Sequence, residues 1–127
     1  MQIEKLAEMA VAEARKHGAS YVEFRFVETR TENVEVSDGK PGLLDRNLSA
    51  GFGVRVLADF AWGFAASYDL TEDSVRKMAQ QAVEIAKTSA KINDRRVELA
   101  PIAAAKDTYK TPFEIDPFSV SLAEKID

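Results

Sequence analysis

The chain has 127 residues, of which 46% are hydrophobic and 30% charged, with 17 lysines and arginines against 21 aspartates and glutamates. This length suits one compact domain, and the composition is typical of a folded globular protein rather than a disordered or membrane-spanning one. The net charge of −4 opposes a surface that binds phosphates, so no direct contact with nucleic acid is expected. The absence of cysteine excludes disulfides and thiolate metal sites and favours a reducing, cytoplasmic location.

Two amphipathic helices are predicted. Residues 2–16 place small and apolar side chains at helical spacing, and Gly18 is expected to end this helix because glycine accepts the left-handed conformation of a C-terminal cap. Thr71 is expected to cap the second helix, which runs to about Ala90 with an apolar stripe facing the core. Glutamates interrupt any signal-peptide core in the first helix, and no segment is apolar enough for a membrane span.

The segments between the helices alternate with period two and predict a sheet. Asp38-Gly39 is a strong hairpin signal, and Pro41 suggests that the strand after it is irregular. Since all connections are short, the fold class is α+β: a mostly antiparallel meander of about five strands packed with two main helices. The predicted strands cover residues 21–29, 33–37, 43–48, 51–57 and 61–67.

The run from Gly51 to Leu70 predicts a hairpin with two unequal faces. We expect its bulky face to close the core and its bare face to receive a helix or another part of the protein, because glycine within a strand permits close approach. The bulky face would carry Phe52, Val54, Val56, Trp62, Phe64 and Ala66. The candidate packing or assembly residues are Gly51, Gly53, Arg55, Trp62 and Gly63. The aromatic side chains Trp62, Phe52 and Phe64 could instead form a ligand pocket, although a core role is favoured.

The C-terminal quarter lacks the regular spacing of apolar residues that marks the predicted helices and strands. Residues 97–99 could form a short strand, whereas residues 100–117 contain three prolines without clear periodicity and are predicted to be a connector. Ser121 and Glu124 form a capping box at a helix start, yet the chain stops three residues later. We therefore expect residues 1–100 to form the domain and residues 101–127 to be a linker with the start of a truncated helix.

The sequence contains few residues in arrangements that are typical of catalytic or metal sites. The single histidine, His17, stands next to a helix-ending glycine, and no carboxylate triplet has ligand spacing, so neither a metal site nor a Ser-His-Asp site is predicted. Glu23, Glu32, Glu35 and Asp45 fall at strand or loop positions that are expected to face solvent. No catalytic residue, metal ligand or cofactor is assigned to this chain.

Several ordered motifs together resemble the N-terminal domain of the TldD/PmbA family, which comprises zinc metallopeptidases also described as modulators of DNA gyrase. The motif Trp62-Gly63-Phe64-Ala65 before Asp69-Leu70-Thr71 is more similar to the TldD branch than to the PmbA branch. One departure is Asp59-Phe60-Ala61, where a glycine-rich turn is expected and Phe60 favours a longer turn. The other matching residues are Gly18-Ala19, the strand Tyr21 to Phe26, Asp38-Gly39, Gly51-x-Gly53-Val54-Arg55-Val56-Leu57, Asp107-Thr108-Tyr109, Ile115-Asp116-Pro117-Phe118 and Ser121 to Ile126.

The resemblance implies a cytoplasmic parent enzyme whose zinc is bound by a His-Glu-x-x-x-His helix that lies C-terminal to the matched region. It also implies dimerisation with itself or a paralogue, and capture of unfolded peptides by strand addition. This chain would then be an inactive N-terminal domain that handles substrate or mediates assembly with the rest of the peptidase.

Two other hypotheses remain open from the sequence. The chain could be a complete stand-alone module that binds a peptide or protein partner and has no enzymatic role. It could also be an independent carboxylate enzyme, which would need two nearby carboxylates in one pocket.

Overall fold

The computed structural model describes residues 2–127 and contains a three-stranded antiparallel sheet in the order β1-β2-β3 with two main helices. The helices confirm the prediction, because α1 ends at Lys16 before Gly18, whose φ is +106°, and Thr71 caps α2 by accepting a hydrogen bond from the Ser74 amide. The elements are α1 (Ile3–Lys16), β1 (Tyr21–Ser37), β2 (Lys40–Ala58), β3 (Ala61–Ser67), α2 (Glu72–Ala90), a 3₁₀ turn (Pro117–Ser119) and α3 (Leu122–Ile126).

The sheet has three strands rather than the five that the alternation predicts: β3 matches the predicted strand 61–67, whereas β1 and β2 each join two predicted strands into one, of 17 and 19 residues. β1 continues through the polar run 30–32, and β2 continues through Pro41 and Asp45. The parts of these two strands next to their shared turn, residues 29–37 of β1 and 40–49 of β2, which we call the distal parts, are mostly exposed. Because neither face of them enters the core, their sequence need not keep the continuous alternation of apolar and polar residues by which strands are predicted. Asp38 and Gly39 form the turn between the two strands with φ values of +51° and +71°, as predicted.

The chain divides into two compact units. The first comprises the chain up to Glu28 together with Ala50–Ala100, and the second comprises Thr29–Ser49 and Pro101–Asp127. The predicted domain boundary at residue 100 stays a prediction. No helix among residues 2–127 is both long and apolar enough to cross a membrane.

In the first unit, α2 packs on β3 and α1 packs on α2, and buried side chains of both helices join those of β2 and β3 in one core on the same face of the sheet. The core is built mainly from small side chains on the helices and larger ones on β2, which allows close approach of helix and sheet. Its buried members are Leu6, Ala10, Ala14, Phe52, Val54, Val56, Ala58, Ala65, Val75, Ala79, Ala82, Val83 and Ala86.

The turn between β2 and β3 is tighter than predicted. Ala58 pairs with Ala61, which leaves a two-residue turn in which Asp59 and Phe60 have φ values of +51° and +63°. The expectation of a longer turn is therefore wrong. The Phe60 conformation is supported by the Val97 amide, which donates to the Phe60 carbonyl at 2.9 Å, and by the Arg96 guanidinium 3.6 Å from the ring centroid.

This tight turn also decides which side chains of β3 face the helices. Residues that pair directly across two strands share one face of the sheet, so Gly63 lies with Val56, and Phe64 lies with Arg55. The prediction that Trp62, Phe64 and Ala66 join Phe52, Val54 and Val56 in the core is therefore wrong for β3. The small residues of β3, not the bulky ones, face the helices.

In the second unit, residues 101–116 contain no helix or strand, and their role as a connector stays a prediction. Residues 97–99, which precede this unit, also form no strand. The predicted capping box is present, since the Ser121 hydroxyl accepts from the Glu124 amide and the Glu124 carboxylate accepts from the Ser121 amide.

Candidate functional site

The face of the sheet opposite the helices forms an exposed surface in the first unit. Gly53 pairs with Ala66, Arg55 with Phe64 and Leu57 with Trp62, so these side chains lie together on it. We call this surface the open face. It carries Tyr21, Glu23, Arg25, Val27, Gly51, Gly53, Arg55, Leu57, Trp62, Phe64 and Ala66.

A cluster of charged and aromatic side chains crosses the open face from β1 to β3. The Arg55 guanidinium donates to one Glu23 carboxylate oxygen from Nη2 at 2.5 Å and from Nε at 3.1 Å. Arg25 Nη2 donates to the other oxygen at 2.8 Å. Arg55 also lies 4.6 Å from the centroid of the Trp62 ring, which in turn makes an edge-on contact with Tyr21. Arg55 is therefore oriented by both a carboxylate and an indole.

These contacts set the charge of the cluster. The hydrogen bonds from Arg55, followed by the positive charges of Arg55 and Arg25, hold the pKa of Glu23 below its ordinary value, against the opposing effect of its partial burial. Glu23 is thus ionised at neutral pH. Since two guanidinium groups meet one carboxylate, the cluster carries a net charge of about +1.

A groove runs beside this cluster and has a volume of about 550 Å³. It is an open, mostly apolar depression because Gly51 and Gly53 contribute no side chains and Phe64 and Tyr68 are 56% and 87% exposed. It is lined by Glu23, Arg25, Val27, Gly51, Phe52, Gly53, Arg55, Phe64, Ala66, Ser67 and Tyr68.

The predicted packing or assembly residues do not lie on one face. Gly51, Gly53, Arg55 and Trp62 are on the open face, whereas Gly63 lies on the opposite face against α2. A Cβ at Gly63 would come within 1.9 Å of the Ala82 carbonyl oxygen. The assembly role of these five residues stays a prediction.

Sequence analysis did not assign Glu23, Arg25 or Tyr68 to a site, although all three line the groove. The alternation of β1 does place Glu23 and Arg25 on the face opposite Phe24, and Phe24 stacks on Phe52 in the core at 5.5 Å between ring centroids. What the sequence lacked was the strand register that brings Arg55 to Glu23. Of the aromatic trio that was proposed as a ligand pocket, Phe52 is buried in the core while Trp62 and Phe64 lie on the open face.

Residues 2–127 do not form a zinc site. No group of three or more His, Asp or Glu side chains is placed to hold a metal ion among these described residues. His17 Nε2 lies 3.0 Å from a Glu13 carboxylate oxygen that also accepts a hydrogen bond from Gln80 at 2.7 Å. The hydrogen bond from Gln80, followed by the one with His17, lowers the pKa of Glu13. His17 and Glu13 are only two potential zinc ligands and are already hydrogen-bonded, whereas a zinc ion requires three or four protein ligands.

A second charged cluster lies in the second unit around Glu32. Sequence analysis placed Glu32 in solvent, but only 6% of its side chain is exposed, because Arg46 Nε donates to it at 2.5 Å and the Lys125 ammonium group donates to its other oxygen. Lys125 also donates to the Pro117 carbonyl oxygen. The hydrogen bond from Lys125, together with that from Arg46, holds the pKa of Glu32 below its ordinary value.

The chain was compared with protein families, curated proteins and solved structures. Residues 22–86, just over half of the chain, match the family model described as PmbA/TldA metallopeptidase domain 1. Over 124 residues the chain is 28% identical to Metalloprotease MJ0996 of Methanocaldococcus jannaschii, covering 98% of this chain and 26% of that protein.

Two solved structures share the fold. A candidate modulator of DNA gyrase (BT3649) from Bacteroides thetaiotaomicron superimposes with a TM-score of 0.66 at 16% identity, over 97% of this chain and 28% of that one. TldE from Thermococcus kodakarensis superimposes with a TM-score of 0.64 at 18% identity, over 98% of this chain and 27% of that one. The chain thus spans about a quarter of the length of the relatives that it matches.

Proposed function

Because the chain belongs to the PmbA/TldD metallopeptidase family through its match to domain 1, we propose that it handles peptide substrate and mediates assembly for a longer zinc metallopeptidase. In this proposal it supplies none of the catalytic groups. Two facts support this assignment: the chain spans about a quarter of the length of its relatives, and no group of His, Asp or Glu side chains among residues 2–127 is placed to hold zinc. The zinc ligands would belong to the remaining part of the parent enzyme.

The observation that carries the proposal is a sheet with helices on one face, an open opposite face, and edge strands on both sides. The strand order makes β1 and β3 the edge strands, and an edge strand can pair with an extended peptide through main-chain hydrogen bonds. Main-chain pairing suits unfolded substrates of varied sequence, because every non-proline residue supplies the same amide and carbonyl groups.

Exposed apolar side chains support the assembly role, either with the rest of the peptidase or with a second subunit, identical or paralogous. They concentrate in the second unit within residues 102–118, which have no regular structure apart from the 3₁₀ turn at Pro117–Ser119, and such a density of large exposed side chains is typical of interaction sites. They are Ile102, Tyr109, Phe113, Ile115 and Phe118, with exposures from 47% to 90%. The cysteine-free sequence supports a reducing cytoplasm as the place where this assembly works.

The proposal is tested by incubating the chain with Zn²⁺ and a short unstructured fluorescent peptide, while anisotropy follows binding and chromatography follows cleavage. We expect binding without cleavage. Metal-dependent turnover would refute the assignment of catalysis to another part of a parent enzyme, and a complete lack of binding would refute peptide handling.

The same binding assay can test whether the peptide pairs with an edge strand. Along a paired peptide, alternate amides point toward the edge strand, so N-methylation of one alternating set should weaken binding roughly tenfold while methylation of the other set leaves it unchanged. Equal effects of both sets would exclude pairing with an edge.

The open groove also favours a second candidate function, that of a stand-alone module that holds a protein partner and has no enzymatic role. The two are distinguished by adding the chain to a peptidase portion of the family that lacks domain 1. Restored turnover of unfolded peptide supports the first function, whereas tight binding of one folded partner without any effect on turnover supports the second.

A further inference from the structure

We propose that the groove on the open face binds an extended peptide segment in which a carboxylate side chain stands beside a large apolar one. This inference rests on the proposed function, since it names the class of peptide that the domain handles. It adds a side-chain preference that main-chain pairing at a sheet edge does not supply.

The charge of the groove favours a carboxylate. Arg25 and Arg55 have side chains that are 70% and 48% exposed, while the Glu23 side chain between them is only 22% exposed. The accessible part of this cluster therefore presents more positive than negative charge. Because Glu23 is ionised at neutral pH and already accepts from both arginines, one positive charge remains for a ligand.

The hydrogen-bonding capacity of the arginines points the same way. A guanidinium group has five N–H donors, of which Arg55 uses those on Nε and Nη2 for Glu23, and Arg25 uses one on Nη2. The Trp62 ring and the Glu23 carboxylate together orient the Arg55 guanidinium, which lowers the entropy lost when a ligand binds. A carboxylate matches the remaining donors as a bidentate acceptor.

The rest of the groove favours an apolar side chain next to that carboxylate. Phe64 and Tyr68 are 56% and 87% exposed on β3 and just after it, and Val27 of β1 is 52% exposed. Gly51 and Gly53 contribute no side chains to the floor of the groove, and the Phe64 ring lies over Gly53, so a ligand side chain would meet an aromatic wall beside a bare stretch of β2. A ligand side chain here would cover apolar surface that is otherwise in water.

Charge also argues against two other occupants. Nucleic acid is opposed by the net charge of −4, which repels a phosphate backbone as a whole. In a two-fold dimer built on this groove, the same positive cluster would face itself, which is unfavourable in a partly desolvated contact. A peptide segment with an acidic and an apolar side chain complements both the positive charge of the arginine cluster and the exposed apolar surface of the groove.

The test uses two fluorescein-labelled peptides that differ only at their centre, Glu-Leu-Glu in one and Gln-Leu-Gln in the other. We expect the acidic peptide to bind roughly tenfold more tightly at low salt, and the difference to shrink as salt is raised. In the variants Arg25→Gln and Tyr68→Ser the acidic peptide should lose several-fold in affinity.

Arg76→Gln on α2 is the matched control, because it removes one exposed positive charge outside the groove. Unchanged folding of each variant is checked by circular dichroism. Equal affinity for the two peptides, or equal losses in Arg25→Gln and Arg76→Gln, would overturn the acidic-apolar site and leave strand addition standing.

Other outcomes separate this proposal from the proposed function. If neither peptide binds, peptide handling itself fails. If the chain self-associates with concentration and Tyr68→Ser abolishes that association, the occupant is a second copy and the peptide site is refuted.

Discussion

Two glycines of one hairpin have different surroundings, and only one of them is required by close packing. Gly63 lies where β3 meets α2, and the helix backbone approaches so closely that a methyl group has no room: its Cβ would lie 1.9 Å from the Ala82 carbonyl oxygen and 2.7 Å from the Ala86 amide nitrogen. Gly53 lies on the opposite face, where a Cβ would meet only the ring of Phe64, at 2.7 Å. Backbone atoms of a packed helix cannot yield as an exposed ring can.

We predict that Gly63→Ala destabilises the chain by about 3 kcal/mol, because α2 must move away from the sheet and lose contacts with several buried alanines. The free energy of unfolding from urea denaturation measures the effect. The matched variant Gly53→Ala should cost less than about 1 kcal/mol, since Phe64 can rotate into solvent. Comparable losses in both variants would show that the close approach of helix and sheet is not the cause.

At the scale of elements, β1 and β2 are longer than their sequence pattern indicates. Their distal parts carry polar residues on both faces, and the side chain that is most covered there is the ion-paired carboxylate of Glu32 rather than an apolar group. Lys125 of α3 supplies a partner 93 positions away along the chain, which anchors the short C-terminal helix to β1 within the second unit. A five-residue helix needs such a tertiary contact, because it is too short to be stable alone.

This anchoring is expected to depend on pH. The pKa of Glu32 is lowered in the folded state, first by Lys125 and then by Arg46, so its contribution is fully present above the unfolded-state pKa and is lost as pH falls through the folded-state pKa. Amide chemical shifts of Ser121 and Glu124 should therefore stay constant near neutral pH and move toward unstructured values on acidification below about pH 4.5.

The variant Glu32→Gln should show the unstructured shifts already at neutral pH and lose the acid transition. Glu35→Gln, which removes an exposed carboxylate from the same strand, serves as the control and should behave like the parent chain. An unchanged acid transition in Glu32→Gln would assign it to another carboxylate.

At the scale of the whole molecule, the core belongs to one of the two compact units. Every buried hydrophobic residue among the described ones lies either in the part up to Glu28 or in Ala50–Ala100. The second unit is held by strand pairing, the capping box and the Glu32 ion pairs. Segments with few buried apolar contacts open locally at a lower free energy than a core does.

Hydrogen exchange should report this division. We predict that the amides of Val54 and Val56 in β2 exchange only through global unfolding of the chain. Hydrogen-bonded amides in Thr29–Ser49 should exchange at least roughly tenfold faster, because local opening suffices to expose them. Uniform protection along β2, measured by NMR in the absence of peptide or partner, would contradict the prediction and indicate one cooperative unit.

The sequence by itself determined the features that depend on neighbouring residues. The ends of both main helices, the Asp38-Gly39 turn, the two faces within β1 and the capping box of α3 each follow from residues within about one helical turn of one another, and all are present. The family resemblance could likewise be drawn from the order of short motifs and is confirmed by the match over residues 22–86.

Only the tertiary structure decided which face of β3 enters the core. The answer depends on whether the β2–β3 turn has two residues or more, and a slip by one residue exchanges the two faces of a strand. Phe60 disfavours the tight turn locally, but its contacts with Val97 and Arg96, distant in sequence, support it. Pairings such as Glu23 with Arg55 and Glu32 with Lys125 escaped sequence analysis for the same reason: they join residues that strand register and packing bring together, and no local pattern encodes that choice.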